Sequence, residues 1–301
     1  MKCAAALSAV ILLFAGCTTS TPSVDSYPTD AARRVTVHGV DIHYFDFNRD
    51  APGTPIVWIH GYSGTAFETT YIQDRFAGAN RLIAPDLPGN GYSQKPDVDY
   101  TLDYFLEFLA GFLEVLELDR YVLVGHSMGG LIAGTFAAGE PAGLERLILV
   151  APYGLEGEAG AIAEFLATTG VLVDYGLVLH NETLIDLGLQ FGVFHDPDRI
   201  PDDLVNYMKV STFHTPNAIP ALASITQNMI GTQHDAAAFE RIAVPTLIIW
   251  GARDRVLAFR FAADFNRLIP GSQLQAIPEA GHLPHVELPD LTAGIIRDFL
   301  R

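Results

Sequence analysis

Short apolar runs alternate with longer segments of helical periodicity along most of the chain. A run such as Ile56–Ile59 has no polar position on either face, which is typical of a strand buried on both sides. Thr101–Leu118 is the clearest predicted helix, because apolar side chains recur every three or four positions and Thr101 is a suitable N-cap. Strands alternating with helices predict an α/β fold with a mostly parallel central sheet flanked by helices. The predicted strands are Ile56–Ile59, Arg81–Asp86, Tyr121–Val124, Arg146–Val150, Thr246–Gly251 and Leu274–Ile277.

A hairpin precedes this pattern and a helix closes it. Arg33–Phe47 alternates apolar and polar residues on either side of His38-Gly39, which predicts two antiparallel strands joined by a tight turn. Helical sequence is predicted from about Leu257 to Leu268 and again from Pro289 to Arg301.

The alternation stops between Ala151 and about Ile242, where helical patches occur without a clear buried strand. We therefore predict a core formed by residues 32–152 and 243–301, with a helical insertion at residues 153–242. Residues 161–179 are strongly apolar, but Glu164 and Asp174 argue against a membrane span and favour a helix facing a pocket. The candidate wall residues of that pocket are Phe165, Leu166, Leu172 and Val173.

The N-terminus has the pattern of an export signal. Cys3–Ala15 is an apolar run of 13 residues, too short to span a bilayer. Leu13–Cys17 resembles a bacterial lipobox, in which the cysteine becomes the lipidated first residue; an ordinary cleaved signal or a short anchor is the alternative. We predict a signal peptide at residues 1–16, a lipid on Cys17 and a flexible tether over residues 17–31. The expected location is the bacterial cell envelope, membrane-anchored on the periplasmic or cell-surface side.

Charge and motif content narrow the classes of ligand. The formal net charge is −17 and no block of Lys or Arg occurs, which argues against a nucleic-acid partner. The sequence contains no H-E-x-x-H, no paired C-x-x-C and no G-x-G-x-x-G after a strand. We therefore predict no cofactor and no metal site.

The segment Gly125–Gly130, with the sequence G-H-S-M-G-G, lies between a predicted strand and a small-residue segment. This is the G-x-S-x-G pattern in a strand, turn and helix context, where a strained turn holds the serine hydroxyl out from the sheet. Gly125 and Gly129 lack Cβ atoms, which lets strand and helix pass closely. The N-terminus of the following helix points N–H groups at the space where negative charge develops during acyl transfer. Ser127 is the predicted nucleophile.

A serine hydroxyl needs a general base, and the base needs an acid that orients it. Asp254 and His282 each follow a predicted strand, so both are expected at the same sheet edge as Ser127. A lone Asp or His is usually structural, but these three occur in the order serine, acid, histidine that characterises one class of triad. His285 is a rival base that lacks the glycine preceding His282.

With these motifs the chain resembles the α/β-hydrolase superfamily over roughly residues 33–301, apart from the insertion. The resemblance implies that residues 153–242 form a cap, or lid. It also implies an oxyanion hole made by the backbone N–H groups of Tyr62 and Met128. Asp86 is expected to brace the turn after its strand, whereas His126 merely fills the variable position of the serine motif. The matching pieces are His60-Gly61, Asp86–Ser93, Gly125–Gly130, Trp250–Asp254 and Gly281-His282.

The same resemblance implies a hydrolase that works through serine. Haloalkane dehalogenases and epoxide hydrolases use aspartate at the position of Ser127, so they are disfavoured. The expected lipid anchor favours an esterase, lipase or phospholipase-like enzyme that acts on small-molecule or lipid esters and transfers the acyl group to water. A C–C bond hydrolase, a cofactor-free perhydrolase or a proline iminopeptidase remains open, as does a non-catalytic binding protein. Acyl chain length, head group and oligomeric state are not predicted.

Overall fold

One eight-stranded sheet organises the part of the chain that the computed structural model describes, residues 27–158, 186, 188–230 and 232–301. Its strands are β1 (Ala32–Val37), β2 (Val40–Phe47), β3 (Gly53–Ile59), β4 (Asn80–Pro85), β5 (Tyr121–His126), β6 (Leu144–Val150), β7 (Thr246–Gly251) and β8 (Gln273–Ile277). Their order across the sheet is β1-β2-β4-β3-β5-β6-β7-β8. β2 pairs antiparallel with β1 and β4, and every other neighbouring pair is parallel. The predicted hairpin and the mostly parallel sheet are therefore confirmed.

The apolar strands are explained by a core on each face of the sheet. Side chains of successive strand residues point to opposite faces. In β3, Val57 and Ile59 belong to one apolar cluster, whereas Ile56 and Trp58 belong to the other. All four residues are at most 1% exposed, so neither face tolerates a polar position.

Helices cover both faces. Thr101 caps the first helix by accepting a hydrogen bond from the N–H of Tyr104, and Phe105, Leu109 and Phe112 bury the predicted apolar stripe. That helix packs in the first of the two clusters, whereas Ile296 of the C-terminal helix packs in the second. The α-helices among the described residues are α1 (Leu102–Val115), α2 (Met128–Ala137), α3 (Asp202–Phe213), α4 (Ala218–Ile225), α5 (Arg260–Leu268), α6 (Pro284–Glu287) and α7 (Pro289–Leu300).

Helix α5 begins three residues later than the sequence pattern predicts. The backbone N–H of Leu257 donates to Asp254 Oδ1, and the carbonyl of Leu257 accepts from the indole of Trp250. Leu257 is therefore held in the loop that leaves β7 and contributes its apolar side chain to the core from there.

The described residues between β6 and β7 form helices and turns that pack on loops at the carboxyl edge of the sheet. Tyr207 of α3 stacks on Phe67 with ring centroids 4.4 Å apart, and its hydroxyl donates to Asp86. Within the described ranges, no helix combines the length and apolar character needed to cross a bilayer.

Two groups of sequence predictions lie outside the described residues. One is the N-terminal signal with Cys17. The other comprises the apolar stretch of residues 161–179 and the wall candidates Phe165, Leu166, Leu172 and Val173.

Candidate active site

Ser127 occupies a strained turn between β5 and α2. Its backbone angles are φ 53° and ψ −118°, a conformation that non-glycine residues rarely adopt and that persists only where surrounding contacts impose it. Its N–H donates to the carbonyl of Val150, and its carbonyl accepts from the N–H of Tyr153. A Cβ at Gly129 would lie 2.3 Å from the carbonyl oxygen of Ile59, so this close crossing requires glycine.

Asp254 and His282 form a buried pair at the same edge of the sheet. Nδ1 of His282 lies 2.7 Å from Asp254 Oδ2. The other oxygen, Oδ1, accepts from the backbone N–H groups of Val256 and Leu257, each at 2.8 Å. The carboxylate is thereby fixed in orientation, and Nδ1–H of His282 donates to it. Nε2 of the imidazole is then the unprotonated nitrogen, as a general base requires.

The backbone of His282 is held on both sides. Its N–H donates to the carbonyl of Val193 at 2.7 Å, and its carbonyl accepts from Nε2 of His126 at 2.9 Å. The rings of His126 and His282 are 4.7 Å apart. Because His126 directly precedes Ser127, these contacts place His282 beside the serine turn.

Two backbone segments adjoin the serine. A Cβ at Gly61 would lie 3.0 Å from Cβ of Ser127, so the chain that leads to the N–H of Tyr62 passes directly over the serine side chain. Met128 is the first residue of α2, and the first N–H groups of a helix have no acceptor within the helix. The use of the Tyr62 and Met128 N–H groups as oxyanion donors stays a prediction.

The two candidate bases, His282 and His285, contact different carboxylates. His285 is fully buried, lies 3.3 Å from Glu68 Oε2 and stacks near Trp58, whereas Asp254 pairs with His282. His126, expected only to fill a position, instead holds the carbonyl of His282. Burial first, then the neighbouring His282 and His285, hold the pKa of His126 well below its ordinary value, so its ring is neutral.

Asp86 braces its loop, as predicted. Its carboxylate accepts from the backbone N–H groups of Ala66 and Tyr92, and Oδ2 lies 2.7 Å from Nδ1 of His43. These contacts tie β2 and β4 to the segment after β3.

Sequence reasoning missed two buried glutamates near the site. Glu287 accepts from the backbone N–H groups of Gly281 and Asp196, and thus fixes the loop that carries His282. Glu158 accepts from the N–H groups of Gly154 and Leu155 and has no exposed surface. Glu287 follows His282 closely in the sequence, and this closeness is a signal that could have found it. Glu158 has no sequence signal, because its burial depends on the packing after β6.

We expect Glu158→Gln to increase stability at alkaline pH. Burial above all raises the pKa of Glu158 from 4.5 to about 8. Between these values the folded protein keeps a proton that the unfolded chain has lost, so this contribution to stability declines as pH rises toward about 8. Glutamine retains an oxygen for both N–H groups and carries no such proton. The melting temperature of the variant minus that of the wild type should therefore grow between about pH 5 and about pH 9. A difference that stayed constant across this range would contradict the assignment.

Comparisons with known proteins identify the family of the chain. The sequence pattern of the alpha/beta hydrolase family matches residues 56–295. The 2-hydroxy-6-oxo-2,4-heptadienoate hydrolase of Pseudomonas putida is 28% identical, over 90% of this chain and 96% of its own length. The crystal structure of a membrane phospholipase A, a bacterial virulence factor, has a TM-score of 0.73 and 26% identity and covers 89% of this chain and 85% of its own. CarC, a serine hydrolase involved in carbazole degradation, has a TM-score of 0.75 and 25% identity, with coverage of 89% and 98%.

The family pattern begins within β3 and ends within α7, so it spans the serine turn and the loops that carry Asp254 and His282. The sheet order and the mostly parallel strands agree with it. The chain belongs to the alpha/beta hydrolase family.

Proposed function

We propose that this hydrolase cleaves carboxylic esters, with Ser127 as nucleophile, His282 as general base and Asp254 as the acid that orients the base. The observation that carries the proposal is the buried Asp254–His282 pair, held beside the strained turn of Ser127. Its substrates are small-molecule or lipid esters.

The reaction proceeds through an acyl-enzyme. Nε2 of His282 takes the proton of Ser127 as Oγ attacks the ester carbonyl carbon. The N–H groups of Tyr62 and Met128 stabilise the negative charge on the carbonyl oxygen. His282 then gives its proton to the departing alcohol. In the second half, His282 deprotonates a water molecule that attacks the acyl carbon, and it returns this proton to Ser127 Oγ as the acid is released. Asp254 stabilises the imidazolium that forms in each half of the cycle.

Hydrolysis of a C–C bond is the second candidate. It is favoured by the similarity to the heptadienoate hydrolase, whereas the similarity to the phospholipase favours esters. Both reactions use the same residues, so the substrate class is decided by assay.

We expect kcat/KM to be highest for an ester when one preparation is assayed on several substrate classes. The panel comprises p-nitrophenyl esters of increasing chain length, a phospholipid, a triglyceride and a 2-hydroxy-6-oxo-dienoate. Each reaction should be lost in Ser127→Ala, which excludes a contaminating hydrolase. A higher kcat/KM for the dienoate than for every ester would replace the ester proposal with the C–C candidate.

Residues 153–242 are proposed to act as a cap over the serine. The contact that supports this role joins Tyr62 to Thr226, which begins a π-helical turn after α4. Thr226 donates its hydroxyl proton to the carbonyl of Leu222, so Tyr62 donates to Thr226 Oγ1 at 2.7 Å. The segment is thereby bonded to the side chain of the residue whose N–H is the proposed oxyanion donor.

We expect Thr226→Val to lower kcat with little change in KM. The substitution removes the acceptor for the Tyr62 hydroxyl, and a lost hydrogen bond of about 1 kcal/mol corresponds to a roughly fivefold lower rate. Steady-state kinetics on the preferred ester measure the effect. Thr226→Ser, which retains the hydroxyl, is the matched control and should keep the wild-type kcat. Equal kcat values for the valine variant and the wild type would remove Thr226 from the positioning of Tyr62.

Attachment to a membrane through a lipid on Cys17 is also proposed, on the basis of the N-terminal sequence alone. Cys17→Ser should yield protein that is unprocessed or released from the membrane fraction. Intact-mass analysis of the wild type from that fraction should show residues 1–16 removed and a lipid added. An unmodified Cys17 would exclude the anchor.

A further inference from the structure

A buried cluster of three side chains lies next to the proposed catalytic residues and takes no part in the reaction described above. Glu68 lies in the 3-10 helix after β3, His126 ends β5, and His285 lies in α6. The exposed fractions of their side chains are 3%, 4% and 0%. One oxygen of Glu68 and one ring nitrogen of each histidine all lie within 4.8 Å of one another.

The hydrogen bonds of His126 show which of its nitrogens faces the cluster. Nε2 of His126 must carry a proton, because the carbonyl of His282 that it contacts can only accept. Nδ1, the other ring nitrogen, is turned toward Glu68. It lies 3.8 Å from Glu68 Oε2, another acceptor, and no hydrogen-bond partner for it exists among the described residues. A buried ring nitrogen that has no partner and lies beside a carboxylate leaves room for a positive charge between the two groups.

Glycines leave space for this cluster. A Cβ at Gly61 would lie 3.0 Å from Nδ1 of His126, and a Cβ at Gly64 would lie 2.4 Å from Glu68 Oε1. Both glycines belong to the loop after β3. The arrangement of the three side chains therefore depends on two positions of this loop that carry no Cβ.

We propose that Glu68 Oε2, His126 Nδ1 and His285 Nε2 bind a divalent transition-metal ion, with zinc as the best match. Two histidines and a glutamate are an established zinc ligand set, with a water molecule in the fourth position. Tetrahedral zinc spaces its donors about 3.3 Å apart. Glu68 Oε2 lies 3.3 Å from His285 Nε2 and 3.8 Å from His126 Nδ1, so two of the three donor spacings are close to this value.

The surroundings of the site indicate a structural ion. A metal-bound histidine usually donates its other ring N–H to a carbonyl or carboxylate, as His126 does to the carbonyl of His282. Nδ1 of His285 has no such partner among the described residues, so this support comes from His126 alone. The three side chains are too deeply buried to offer a coordination position to substrate. Bound metal would therefore fix His126 and, through it, the backbone of His282. Sequence motifs indicated no metal site, because the three residues come from distant parts of the chain.

Metal content and thermal stability test this site without reference to activity. Tag-free full-length protein is dialysed against zinc and then against metal-free buffer, and bound zinc is measured by mass spectrometry. About one equivalent should remain in the wild type and in His234→Gln, a control histidine outside the cluster. Glu68→Gln and His285→Gln should bind zinc at least roughly a hundredfold more weakly, since loss of a ligand costs more than loss of its supporting contact.

Thermal stability is the second measurement. Added zinc should raise the melting temperature of the wild type and not that of the two cluster variants.

Two results would overturn the proposal. One is folded wild-type protein that retains no zinc, which would mean that a proton alone supplies the positive charge. The other is equal zinc binding by the wild type and both cluster variants, which would place the ion elsewhere. If both variants fail to fold, the visible spectrum of cobalt-loaded wild type decides. Tetrahedral bands support the site, and their absence refutes it.

Discussion

Ser127→Ala is expected to lower kcat on the preferred ester by a factor on the order of 10⁴ to 10⁶ while leaving the fold intact. The strained turn presents the hydroxyl, and alanine has no oxygen with which to form the acyl-enzyme. Alanine fits the same backbone, because the contacts that impose it are made by the main chain of Ser127 with Val150 and Tyr153. The rate that remains in Ser127→Ala comes from substrate binding and from the backbone N–H groups of Tyr62 and Met128. Steady-state kinetics measure the loss, and circular dichroism verifies the fold.

Ser272→Ala is the matched control for this experiment. Ser272 precedes β8, and its hydroxyl contacts only Asn266 among the described residues. The kcat of Ser272→Ala should equal that of the wild type. A Ser127→Ala enzyme with more than about a tenth of the wild-type kcat would show that another residue performs the attack.

His282→Ala should reduce kcat about as much as Ser127→Ala. The double variant should be little slower than either single one, because nucleophile and base act as one unit. Asp254→Asn should also be strongly impaired, since an amide at Oδ2 can no longer accept from Nδ1 and would favour the wrong tautomer of His282. Kinetics on the four proteins, all verified as folded, measure these effects.

Three outcomes would contradict these assignments. Retained activity in His282→Ala would exclude His282 as the base. Additive losses in the double variant would show that Ser127 and His282 act independently. A wild-type rate in Asp254→Asn would remove the acid. His38→Ala, in the exposed turn between β1 and β2, controls for the loss of a histidine as such and should be fully active.

Much of the fold could be predicted because its signals are local. Each face of β3 contacts an apolar core, so the strand reads as a continuous apolar run, and α1 shows its buried stripe in its periodicity. The serine turn was recognisable because Gly125 and Gly129 are required by close contacts within a short segment. Asp254 and His282 could be expected to lie close together, because parallel strands end at one edge of the sheet, and their side chains are 2.7 Å apart.

The unpredicted features depend on contacts between distant residues. His126 occupies the variable position of its motif. Only the folded chain shows that its side chain donates to the carbonyl of His282 and faces Glu68. The raised pKa of Glu158 follows from burial, which no local pattern reports. The late start of α5 has the same origin, since Leu257 is drawn into the loop of Asp254.

The central claim, that Ser127 is an activated nucleophile, is tested most directly by covalent labelling. The protein is treated with a fluorophosphonate, digested and mapped by tandem mass spectrometry. The account predicts one phosphonate per chain, carried by Ser127, with labelling abolished in Ser127→Ala and greatly slowed in His282→Ala. A phosphonate on a different residue, or no label on the active wild-type enzyme, would contradict it.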